Sequence, residues 1–182
     1  MKKLLLIVFP LLIFTFSKSS YALVEVDITR GNLDPLPIAV SPLYIEPGSV
    51  DIKGDKVIKN VGEKISEVIE INFKRSGLFN PLKKDSFVQK PDIAHVKPRF
   101  EDWRLIKAQA LVTGKVQVTE NKIRVEFRLW DVIAAKEMVA LAFSTTPDNW
   151  RRVAHIISDK IYKRLTGEEG YFDTRIIYVS ET

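Results

Sequence analysis

The sequence contains no cysteine. Thiol catalysis, cysteine-ligated metal and disulfide cross-links are therefore excluded, and a packed core has to supply the stability. Histidine is nearly as scarce. His95 and His155 are the only two, too few for a zinc site without carboxylates at HExxH-like spacing, which is absent. No GxGxxG, P-loop or GxSxG signature occurs, and there are no internal repeats. Long apolar runs are missing too: the stretch 4–16 falls short of the about 20 residues that span a bilayer.

What the N-terminus does carry is an export signal. In "MKKLLLIVFPLLIFTFSKSSYA", Lys2 and Lys3 form a positive start, the apolar run comes next, and Ser20-Tyr21-Ala22 offers small residues at the two cleavage-determining positions. Cleavage after Ala22 is expected, and the short two-lysine start points to a bacterial periplasm. Lys2, Lys3 and Lys18 leave with the signal, so 25 basic residues face 23 acidic ones, a net charge of +2. Nucleic-acid binding requires a concentrated basic stripe. The remaining chain lacks one, its densest cluster being "PLKKD".

At 182 residues, 46% hydrophobic and 28% charged, the chain has room for one ordinary soluble domain. In "LVEVDITRG", Val24, Val26 and Ile28 share one side of an extended segment and Glu25, Asp27 and Thr29 the other. "IAVSPLYIE" reads as a buried strand that Pro42 interrupts. Helical spacing runs over 55–76, with Val57, Val61, Ile65, Val68 or Ile69, and Phe73 as its stripe and Gly77 as the left-handed C-cap. Leu78 and Phe79 start a short strand, "KKDSFVQKPDIAHVKPRF" reads as a loop, and "EDWRLIKAQ" as a short helix.

Three strands in a meander come next. "ALVTGKVQVT" turns at Glu120-Asn121 into "KIRVEFRLWDV", and "KEMVALAFSTT" completes the set. Ile123, Val125, Phe127 and Leu129 alternate with Arg124, Glu126, Arg128 and Trp130, which predicts one face on a core and one toward solvent. A second long helix opens near Pro147, carries Trp150, Val153, Ile157, Ile161 and Leu165 on one stripe, and ends at Gly167. The expected fold is α/β: a mixed sheet packed with two long helices. A last apolar run at 175–180 reads as a strand with nothing after it to pair with.

Catalytic constellations are thin. His155 and Asp159 stand four apart and can meet on one helix face, as a base and its orienting carboxylate would. They lack a nucleophile, and a structural pair is the plainer reading. Glu101-Asp102 suits the start of a helix, and Glu168-Glu169 a turn. Among the tryptophans, Trp103 and Trp150 could stack a ligand, Trp150 reading as core; Trp130, on the polar side of its strand, is the one to examine for exposure. No catalytic residue, cofactor site or metal site is assigned.

Two stretches go beyond composition. One is "NWRRVAHIISDKIYKRLTGEEGYFDTRIIYVSET", with Trp-x-Arg, Ala-His, Ser-Asp, Leu-Thr-Gly, Gly-x-Phe-x-Thr-Arg-Ile and Tyr-Val in succession. The other is "VEVDITRGNLDPLPIAVSPL" with "RSGLFNPL" downstream. Together, over 23–182, they resemble the N-terminal domain of the TolB family of periplasmic Tol-Pal system proteins. The resemblance implies an α/β domain placed before a six-bladed β-propeller, so that 175–180 would be a piece of a blade and the sequence a fragment or a chain cut short.

The family resemblance further implies that the first residues after the signal bind the C-terminal domain of TolA. By position these are Leu23, Val24, Glu25, Val26, Asp27, Ile28, Thr29 and Arg30, which could add as a strand to an exposed sheet edge or form an edge strand of their own domain. The propeller is the part that binds the lipoprotein Pal, so Pal binding is expected to be lost here. The implied organisation is a signal at 1–22, a TolA-binding segment at 23–34, the α/β domain at 35–169 and the start of a propeller at 170–182. The implied role is non-enzymatic: protein–protein contact that maintains outer-membrane integrity and supports its invagination in cell division. No nucleic acid is expected as a partner, and the outer membrane is reached only through proteins. The alternative is a periplasmic hydrolase or cell-wall-binding domain working through His155, Asp159 and Trp130.

Overall fold

The computed structural model describes residues 34–52 and 59–174. The signal at 1–22, the segment 23–30, the expected helix start at 55 and the strand at 175–180 lie outside the described residues. The described elements are β1 (Leu36–Val40), β2 (Tyr44–Ile45), α1 (Val61–Ser76), β3 (Phe79–Pro81), α2 (Pro91–Ala94), α3 (Phe100–Leu105), β4 (Ala110–Val118), β5 (Ile123–Asp131), β6 (Lys136–Thr145) and α4 (Trp150–Thr166). The strands form one mixed sheet in the order β3-β1-β4-β5-β6. β1 and β2 lie one after the other along β4, both parallel to it, with Ile38 opposite Ala110 and Tyr44 opposite Lys115. The break between them falls at Pro42, which has no N–H to give to a ladder. β4, β5 and β6 form the expected antiparallel meander, with one register shift beside Leu129 and Trp130.

Parallel neighbours need a crossover that returns the chain to the starting end of the sheet. β1 has a parallel neighbour on each side, β3 and β4, so two returns are required. α1 makes the first over one face; α4 packs beside it there. Ile65, Ile69 and Phe73 of α1 and Val153, Ile157, Ile161 and Leu165 of α4 form the main core with Ile38, Val40, Val112, Val116, Ile123, Val125, Phe127 and Leu129. Residues 82–109 make the second return across the opposite face. There Ala94, Trp103 and Ala108 pack on Ala39, Leu111 and Val132 as a smaller core.

That second core corrects two expectations. The stretch from Lys83 to Phe100 is not a plain loop, since Pro91 opens the one-turn helix α2. The outer face of the meander is also not wholly given to solvent. The polar composition of the crossover conceals this because a side-chain amide organises it. Buried Gln89 accepts from the Trp103 indole Nε1 at 3.0 Å and from the Arg99 backbone N–H at 2.9 Å. A third correction concerns α1, which begins at Val61. Asn60 has φ 54° and ψ 44°, left-handed values that end helical geometry and that asparagine tolerates well. Its carbonyl still accepts from the N–H groups of Glu63 and Lys64. Gly62 then lets the first turn press on the preceding segment: a Cβ there would stand 2.1 Å from the Leu43 carbonyl oxygen.

Candidate interaction surfaces

The helical face carries a polar seam inside its apolar packing. Asn72 of α1 is buried, and its amide Nδ2 donates to His155 Nδ1 at 3.0 Å and to Ser158 Oγ at 2.9 Å, both on α4. The Ser158 hydroxyl in turn donates to the Ala154 carbonyl at 2.9 Å. His155 Nδ1 therefore acts as an acceptor, which leaves the ring proton on Nε2. Burial holds the His155 pKa below its ordinary 6.5; Asp173 and Asp159 oppose that shift, while Arg151 and Arg75 add to it.

Asp159 does not hold the histidine, contrary to the four-residue spacing. Its carboxylate faces the segment after the helix: Oδ1 accepts the Phe172 N–H at 2.7 Å and Oδ2 the Asp173 N–H at 3.1 Å. Gly167, at φ 79°, terminates α4 and turns the chain back. The returning strap, residues 168–174, then lies along the helix that precedes it. Lys163 pairs with Glu169 near one end, and Arg152 reaches both Asp173 carboxylate oxygens at 3.2 Å near the other. Tyr162 packs between them, with ring centroids 5.6 Å from Tyr171 and 5.8 Å from Phe172, both edge-on. Phe79, perpendicular to Tyr162, joins this group to the main core through Phe73.

The outer face holds Trp130. It is half-buried and engaged: Nε1 donates to Thr113 Oγ1 at 2.9 Å, Phe100 meets its ring at 5.8 Å, and the Arg128 guanidinium stands 5.9 Å from the ring centre. A stacking platform for a sugar would need that ring bare. Beside it, His95 stacks on Tyr44 at 4.5 Å and borders a shallow cleft of about 250 Å³ with Lys115, Glu126 and Arg128. These charges are paired, Arg128 with Glu137 of β6 at 3.7 Å. Lys115 contacts Glu46 at 2.6 Å and Glu126 at 3.7 Å, and Arg124 holds Glu126 at 2.9 Å. Glu101 and Asp102 form surface pairs with Arg104 of α3 and with Arg99, which precedes that helix. Trp103 and Trp150 are both core. Thus His155, Asp159 and Trp130 are not brought to one place, and among the described residues no group of three or more metal-ligating side chains gathers.

The third surface is an edge. Among the described residues β6 pairs only with β5, and most of its ten residues are exposed, Leu141 among them. Its charges are confined to Lys136 and Glu137 at one end. Also among the described residues, no helix is long and apolar enough to cross a membrane. Sequence reasoning misses Asn72 and Ser158 because their partners lie on another helix; a polar residue inside each apolar stripe is the available signal.

Residues 24–138 match the family described as the TolB amino-terminal domain. The chain is 66% identical over 164 residues to the Tol-Pal system protein TolB of Pelagibacter ubique, a stretch that covers 89% of this chain and 36% of that relative. It thus spans little more than a third of the relative's length. Among solved structures, TolB from Acinetobacter baumannii superposes with a TM-score of 0.60 at 22% identity, over 77% of this chain and 30% of that one, a likeness of fold. Lipoprotein GNA1162 from Neisseria meningitidis reaches a TM-score of 0.48 at 18% identity, over 72% of this chain and all of its own. On the matched residues and the 66% identity, the chain belongs to the TolB amino-terminal domain family, the family of a Tol-Pal system component.

Proposed function

We propose that this chain is a cell-envelope component of the Tol-Pal system that works in the periplasm by protein–protein contact, without catalysis. The observation that carries the reading is the 66% identity to a Tol-Pal system protein over 89% of the chain. The scattered positions of His155, Asp159 and Trp130 support it over a hydrolase. In this reading residues 1–22 are a cleaved signal, 23–34 hold the partner segment, 35–169 form the α/β domain and 170–182 begin a propeller. Leu23, Val24, Glu25, Val26, Asp27, Ile28, Thr29 and Arg30 bind the C-terminal domain of TolA as an added strand, Val24, Val26 and Ile28 on the apolar side. The contact contributes to outer-membrane integrity and to invagination at division.

Calorimetric titration of the TolA C-terminal domain into the chain lacking 1–22, beside a form that also lacks 23–30, tests this. Binding that vanishes with the deletion is expected. Heat of equal size from both forms, or from neither, would sink the assignment. The 182 residues by themselves are expected not to capture Pal, because the propeller surface that binds it in the family is not among them.

A further inference from the structure

The C-terminal motif singled out in the sequence acquires a physical reading in the strap. The contacts descend α4 as the strap ascends: Lys163 takes Glu169, Asp159 takes the Phe172 and Asp173 amides, and Arg152 takes the Asp173 carboxylate. A linker that merely leaves a domain has no reason to register residue by residue against three turns of helix. The capture of two successive backbone N–H groups by the two oxygens of one carboxylate is charge-assisted, and it fixes the peptide plane between them as well as its position. Gly170 is the complementary feature. A Cβ there would lie 2.3 Å from Asp159 Oδ1 and 2.4 Å from its Cα. Here glycine permits contact between backbones; it does not serve a turn. Thr166 prepares the approach, its hydroxyl accepting the Glu168 N–H at 3.1 Å while donating to the Tyr162 carbonyl at 2.9 Å.

The geometry points to a built-in joint: Asp159, as a positioning residue, clamps 168–174 onto α4, so that Thr174 is held beside the N-terminal part of that helix. The matched relative is much longer than this chain, and such a joint makes the position at which the chain passes Thr174 a property of this domain. The inference does not depend on which partner residues 23–30 bind.

The absence of native cysteine allows a direct test, because Thr174→Cys can carry a single nitroxide label. In the full chain the label is expected to broaden the amides around Arg151 and Arg152 and to spare those near Leu165. The Phe172 and Asp173 amides are expected to exchange at least about 10-fold more slowly than in an unstructured chain. Asp159→Asn removes the charge and one acceptor; Gly170→Ala keeps the carboxylate and blocks the approach. Each is expected to abolish both signals while β4 and β5 stay protected. If Asp159→Asn also strips protection from β4 and β5, Gly170→Ala decides the matter. Free-chain exchange at Phe172 and Asp173 in the native protein would overturn the joint. So would broadening spread over the whole domain, or a pattern that survives Gly170→Ala.

Discussion

The two long helices end alike and lead to different places. α1 stops at Gly77 with φ 73° and ψ −9°, and α4 at Gly167 with φ 79° and ψ −11°. After the first, the chain enters β3 and is held by backbone pairing with β1. After the second, it folds back on the helix it has just left and is held by side chains: one carboxylate, two ion pairs and a cluster of rings. A sheet shares its hydrogen bonds among many residues and tolerates the loss of any one side chain. A clamp concentrates its hold in a few groups, so it can be undone locally while the domain stays folded.

The largest effect should come from the rings on each exit. Phe73 is fully buried and lies 4.9 Å from Phe79, next to the first exit. Phe73→Ala is expected to cost about 3–5 kcal/mol in urea unfolding, through lost transfer energy and the cavity left behind. Phe172→Ala, on a half-buried ring of the strap, is expected to cost at most about 1 kcal/mol, since the strap can undock before the core responds. Equal losses would mean that the strap is integral to the core and would erase the distinction.

The two caps sharpen the comparison. A Cβ at Gly77 or at Gly167 meets nothing within 4 Å, so only the positive φ opposes alanine. Gly77→Ala and Gly167→Ala should each lower stability by about 1 kcal/mol. Only Gly167→Ala should also speed amide exchange at Phe172 and Asp173.

The smallest effect is the pH response of the seam between the helices. His155 titrates below its ordinary 6.5 when folded. As pH falls below the unfolded value, the unfolded chain takes up a proton that the native state resists, so this contribution to stability is lost on acidification. Urea midpoints at about pH 7.5 and about pH 5.5 should therefore drop further for the native chain than for His155→Gln.

The range of each interaction decides how much of the molecule is legible in its sequence. The stripes of α1 and α4, the meander and both glycine caps rest on local periodicity and backbone sterics, and they stand where the spacing puts them. The start of α1 is not legible in this way: Lys59 and Asn60 suit a helix in composition, and the left-handed Asn60 shows itself only in the fold. The smaller core hides in a polar stretch, because Gln89 makes it coherent by reaching residues 10 and 14 positions away. The four-residue rule gives Asp159 to its helical neighbour, while its partners lie 13 and 14 residues on. The segment 23–30 lies outside the described residues, and its binding role rests on the family resemblance.

The Asn72 link has a meaning apart from strength. Apolar stripes repeat every three or four residues, so two such helices can slide past each other by a turn, about 5.4 Å, and still bury their side chains. A slide of that size would carry the buried Asn72 amide away from His155 and Ser158 and leave its donors facing hydrocarbon. The polar contact thus works as an index mark between two otherwise forgiving surfaces: it selects which turn of α1 meets which turn of α4.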